Sequence, residues 1–111
     1  MTYLTDTLTI SATRVLDLAR DVTLQLGEWQ FHRDLVVSVN TRHGGAPLVY
    51  VTLSTSADQA TRREFIDAFA SAMDAPVSAL PCRAGGHLLS VSVSDFDRTG
   101  ATVAASVQVT A

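Results

Sequence analysis

The sequence predicts an α+β fold: a two-layer αββαββ sandwich in which two helices lie on one face of a four-stranded antiparallel sheet. Three observations predict it. Apolar residues recur every three to four positions in two segments, the helical period, and alternate with polar ones in four others, the period of a strand. The four alternating segments come in two pairs joined by turn-forming residues, so each pair is a hairpin. The chain has 111 residues, of which 47% are hydrophobic and 17% charged, which suits one core. Residues 1–55 and 56–111 are read as the two αββ units of a single domain.

The first helix carries Leu4, Leu8, Ala12, Val15, Ala19, Val22 and Leu26 on one stripe, widened by Leu16 and Leu18, with Asp6, Thr13, Asp17, Arg20 and Asp21 opposite. Gly27 is a natural stop, because glycine readily takes the left-handed backbone that follows a helix. Ile10 and Leu24 point off the stripe. The threonines lower helix propensity, so residues 21–26 read as strand equally well. In the linker GEWQFHRD that follows, Trp29 and Phe31 either close the end of the core or meet a partner.

In the first hairpin, Leu35, Val37 and Val39 alternate inward, then Val49, Val51 and Leu53. Gly44 and Gly45 form the turn between them, with His43 exposed in it. A glycine loop that cradles phosphate opens a helix, whereas here a strand follows. Ser56, with Gln59 three residues on, is a capping-box pattern that opens a second helix running to about Asp74. Phe65, Ile66, Phe69, Ala70, Ala72 and Met73 form its apolar stripe. Arg62 falls within that stripe at the first turn, where its guanidinium either snorkels past the sheet edge or meets a partner carboxylate.

Pro76 ends the helix, and PVSALPCRAGG reads as a loop. The last hairpin sets Leu89, Val91 and Val93 inward, turns at Asp97 to Gly100, and returns with Val103, Ala105, Val107 and Val109 inward. Leu35, Val37, Ser38, Val39 and Val49 can be laid over Leu89, Val91, Ser92, Val93 and Val103. That correspondence reads as an internal αββ repeat.

Composition removes several function classes. The net charge is −3, there is no lysine, and the eight arginines are scattered apart from Arg62 and Arg63, so no basic patch offers itself to nucleic acid. Cys82 is the only cysteine, which precludes an intramolecular disulfide and suits a reducing compartment. No run approaches the roughly 18 apolar residues of a membrane span, and no basic leader opens the chain. A cytoplasmic protein, or one assembled into a particle in the cytoplasm, is expected. Arginine without lysine, beside abundant Ala, Val, Thr and Asp, suggests a high-GC bacterium or one of its phages.

The motifs that could carry chemistry fail on their own terms. Asp95, Asp97 and Thr99 in SDFDRTG resemble the first motif of haloacid-dehalogenase-type phosphatases, in which the first Asp attacks phosphate near magnesium. The lysine that family needs has no counterpart here. Read as a calcium loop, the same residues put Ser106 where a bidentate Glu belongs. Cys82 and His87 are the only candidate thiol–imidazole pair, and Asp95 lies too far along an extended strand to orient His87. His32, His43 and His87 lack metal-ligand spacing, so no metal or cofactor is expected.

What remains is the sheet face turned away from the helices. Val36, Ser38, Asn40, Leu48, Tyr50 and Thr52 from the first hairpin, with Leu88, Ser90, Ser92, Ser94, Thr102, Ala104, Ser106, Gln108 and Thr110 from the second, include no charge. Good strand formers on a wet face explain part of this. Interface centres are also depleted of charge, and small hydroxylated side chains permit close sheet-to-sheet approach. The expected function is therefore a non-catalytic protein-interaction or assembly module, docking a second copy or another protein and forming a homo-oligomer. A small phage structural or host-inhibiting protein fits this description; the layout from Leu48 onward is similar to that of tail-completion proteins. A small-ligand regulatory domain, with a pocket between the two units, and a small enzyme using Cys82 and His87 are the alternatives.

Overall fold

The fold is that of a computed structural model, which describes residues 2–40, 47–96, 98 and 100–110, and only the backbone of residues 2–12. The order is α1 (Thr2–Gln25), a short 3₁₀ turn (Gly27–Phe31), β1 (Leu35–Asn40), β2 (Leu48–Leu53), α2 (Gln59–Met73), β3 (Ser78–Pro81), β4 (His87–Phe96) and β5 (Ala101–Val109). The protein is α+β, with two helices and one five-stranded mixed sheet in the order β1-β2-β5-β4-β3.

Residues 21–25 continue α1, and Gly27 follows at φ +60, the conformation in which glycine ends helices. Val15, Leu18, Val22 and Leu26 are buried, but Leu16 is 67% exposed and does not widen the stripe. The side chains of Leu4, Asp6, Leu8, Ile10 and Ala12 lie outside the described residues. Helix α2 is capped by Asp58 rather than Ser56: the Asp58 carboxylate accepts the Thr61 N–H at 2.7 Å. Ser56 instead donates to Asp34 across the end of the first hairpin.

Two parts of the predicted sheet are corrected. The segment read as a loop after Pro76 contains β3, antiparallel to β4 from Ser78↔Ser90 to Pro81↔His87. Four residues ending in proline, all exposed, leave no alternation to detect. The sheet is also not wholly antiparallel, because β2 runs parallel to β5, with Val49 beside Val103. Helix α2 thus carries the chain across the sheet to β3, and β4 and β5 fold back to fill the gap.

The repeat does not match this topology. Both hairpins turn the same residue set to the helices, yet β2 lies between β1 and β5 while β5 lies between β2 and β4. With β2 and β5 parallel, the two hairpins have opposite hands, and no rotation superposes them with the same face inward. The shared valines therefore reflect strand patterning.

One core holds both helices against one face. Leu18, Val22, Leu26, Phe65, Ile66, Phe69 and Met73 meet Val49, Val51, Leu53, Val91, Val103, Ala105, Val107 and Val109. The predicted inward sets of β2 and β5 are buried throughout. A β-bulge between Val93 and Phe96 shifts the alternation, so that Phe96 turns inward opposite Ala101. Asp95, at φ +51, holds the ensuing turn by accepting the Gly100 N–H on Oδ1 at 2.7 Å. Asp97 and Thr99, like His43, Gly44 and Gly45, lie outside the described residues.

Candidate interaction face

The uncovered face is ordered in rows by strand register. Val36 lies beside Thr52, Ser38 beside Tyr50 and Asn40 beside Leu48. Across the parallel pair, Tyr50 meets Ala104 and Leu48 meets Thr102, and beyond them Ser106 pairs with Ser90, Ala104 with Ser92 and Gln108 with Leu88. β3 extends the face beyond the predicted residues, placing Ser78 beside Ser90 and Leu80 beside Leu88. Ser94 sits at the bulge. None of these positions is charged, and the two ends of the face carry exposed apolar groups, Val36 at 43% and Leu80 at 59%.

Several polar atoms at the centre are already paired. Tyr50 and Ser106 share a hydroxyl–hydroxyl hydrogen bond, and Thr52 Oγ1 donates to the Ser106 carbonyl at 2.7 Å. Hydroxyls that hold their own partners can lose water at much lower cost than unpaired ones.

Arg62 and Trp29 have structural roles. The Arg62 guanidinium donates to three carbonyls, Nε to Ala57 at 3.0 Å, Nη1 to Gln108 at 2.8 Å and Nη2 to Thr55 at 3.1 Å. It ties the start of α2 and the preceding loop to the end of β5. Arg63 and Gln59 add bonds to the backbone of Thr110. Trp29 is half-buried, edge-on to Phe65 at 5.7 Å and stacked on His32 at 4.9 Å. Phe31 does not close the core; it is 82% exposed.

A polar knot that periodicity does not reveal lies where β1 begins and β2 ends. Asp34 Oδ1 accepts from both Ser54 and Ser56 at 3.0 Å, and the Asp34 N–H donates to His32 Nδ1 at 3.2 Å. Burial raises the Asp34 pKa, but the two serine hydroxyls, with Arg33 and His32 adding to them, outweigh it and hold the carboxyl below its ordinary value. Thr61, through its side chain and its N–H, likewise lowers Asp58, against a smaller opposing effect of burial. The antiparallel register of the first hairpin, continued one residue, places Asp34 opposite Ser54, and that register is the signal from which the knot could have been found.

PCRAGGH is the β3–β4 turn, closed by Cys82 N–H to the Gly86 carbonyl at 3.1 Å and Gly85 N–H to the Cys82 carbonyl at 3.0 Å. Cys82 and His87 flank this turn, and among the described residues no hydrogen bond joins their side chains. Among the described residues no group of three His, Cys, Asp or Glu side chains could hold a metal ion, and no helix is long and apolar enough to cross a membrane. No protein-family model matches the chain, and comparison with curated proteins and with solved structures finds no significant match.

Proposed function

We propose that this chain is a non-catalytic assembly module whose uncharged sheet face packs against a second copy of itself. The observation that carries the reading is a five-stranded face whose paired rows carry no charged side chain, with charge only at its ends in Asp34 and Asp95, and at whose centre Tyr50 and Ser106 share a hydroxyl–hydroxyl bond while Thr52 donates to the Ser106 carbonyl. Five strands spaced about 4.8 Å apart, with four to ten residues each and about seven on average, cover roughly 24 by 23 Å in plan. With side-chain relief, that approaches the ~800 Å² which each partner of a standard interface contributes. Serine, threonine and alanine side chains are short enough for two such faces to reach the ~10 Å sheet spacing of a sandwich. Uncharged rows also meet their own copies across a two-fold axis without like-charge repulsion.

The test places one charge on the face without touching the core. Ser92→Arg and Ser106→Arg should each leave the far-ultraviolet circular dichroism unchanged and lower the mass of the assembly in sedimentation equilibrium. Wild-type assembly persisting in both variants refutes the reading.

A further inference from the structure

The two edges of the sheet differ in a way that assigns one of them a partner. In an antiparallel pair, successive residues point their N–H and C=O groups alternately toward the neighbouring strand and away from it. The Ser54 N–H bonds the Asp34 carbonyl at 2.8 Å, so Asp34, Val36, Ser38 and Asn40 face β2 while Leu35, Val37 and Val39 turn their backbone groups outward. The Leu35 N–H is taken by the His32 carbonyl at 3.0 Å. Among the described residues Val37 and Val39 are left as outward donors, with the carbonyls of residues 35, 37 and 39 as acceptors.

The same reasoning gives β3 a blunted edge. Cys82 bonds Gly86, so Leu80 and Ser78 face β4 while Ala79 and Pro81 face outward, and proline has no N–H to offer. A short edge strand with an outward proline is a recognised defence against unwanted pairing. β1 has no such defence: LVVSVN contains no proline and no charge. Its side chains are also undercovered on both faces, Val36 at 43% on the open face and Val39 at 38% on the helix face.

We propose that β1 pairs antiparallel with β1 of a second copy, forming a continuous ten-stranded sheet with all four helices on one side. The occupant follows from parity and charge. Residues directly opposite in an antiparallel pair share a face, so a two-fold axis perpendicular to the sheet must match residues of like parity. With Val37 on that axis, the Val37 N–H groups bond one another's carbonyls, and each Val39 N–H bonds the Leu35 carbonyl of the second copy. Every outward donor is used, and the bond from Leu35 to His32 is kept. Leu35 of the second copy covers the exposed Val39, Ser38 stands opposite Val36, and Asp34 stands opposite Asn40, so no like charges meet. This interface uses the edge and does not depend on the uncharged face.

The test is made in the Ser92→Arg chain, whose face is blocked, with mass read by sedimentation equilibrium and amide exchange by NMR. The expected result is a dimer in which the Val37 and Val39 amides exchange at least about tenfold more slowly than in a monomer. Adding Val39→Lys should halve the mass and release both amides, while the Val36 and Ser38 amides, bonded to β2, stay protected and report an intact fold. Val37→Pro, which removes an N–H that bonds nothing among the described residues, should do the same. A monomeric Ser92→Arg chain with fast Val37 and Val39 exchange overturns the edge proposal and leaves the face reading standing. Assembly that survives Ser92→Arg in full and dissolves with Val39→Lys supports the edge and removes the face.

Discussion

Gly86→Ala is the substitution for which the structure gives the clearest magnitude. Gly86 sits at φ +79 in the β3–β4 turn, and a Cβ there would lie 2.3 Å from the backbone carbonyl oxygen of Val109. Non-bonded heavy atoms need at least 3.0 Å, so something must move by about 0.7 Å. The obstacle is backbone in the last pair of the β4–β5 ladder, His87↔Val109, and Val109 is itself buried. Left-handed backbone costs a non-glycine residue about 1–2 kcal/mol. Prising the ladder end apart adds one or two hydrogen bonds at about 1 kcal/mol each, for a loss of roughly 2–4 kcal/mol.

Gly85→Ala is the control. Gly85 also has positive φ, +93, but a Cβ added there would meet nothing within 4 Å, so only the backbone cost applies. Urea unfolding followed by Trp29 fluorescence should place the Gly86→Ala midpoint below that of Gly85→Ala by about 0.5–2 M, the extra 1–2 kcal/mol of ladder hydrogen bonds divided by an m-value of roughly 1–2 kcal/mol/M. Equal midpoints for the two variants would show that β3 and its turn do not approach the end of β5 as described.

The remaining predictions concern the elements around the face. Arg62→Lys should destabilise the fold by about 1–2 kcal/mol in the same urea assay, because one ammonium cannot reach three carbonyls in three directions, and the mass of the assembly should not change; an altered mass at unaltered stability would assign Arg62 to a partner instead. Asp34 and Asp58 have lowered pKa values in the folded chain and ordinary ones when it unfolds. Their stabilisation is therefore complete above the ordinary aspartate value, about 4, and is lost as pH falls through the lowered folded values. Asp34→Asn should flatten the acid limb of a plot of urea midpoint against pH, and an unchanged limb would contradict the knot.

Sequence periodicity located both helices and four of the strands, and assigned the inward residues of β2 and β5, because burial on one face imposes alternation that can be counted. It did not locate β3. Ala79 and Leu80 are exposed edge positions beside a proline, and nothing in such a strand forces a pattern. The parallel pairing of β2 with β5 was equally hidden: Val49 and Val103 look the same whether their strands run together or oppositely. Phe96 escaped because one bulge reverses parity after Val93.

The uncharged face could be read almost whole, since it is the complement of the inward set, and only Ser78 and Leu80 were missing from it. The edge of β1 could not be read. Its importance depends on which strand ends the sheet and on which way Val37 and Val39 turn their N–H groups, and both follow from register rather than from residue type.

The most direct measurement is the mass of the wild-type chain by sedimentation equilibrium over a wide concentration range. Self-assembly through an uncharged face predicts a dimer or larger species that persists on dilution. A monomer at every concentration would contradict the account.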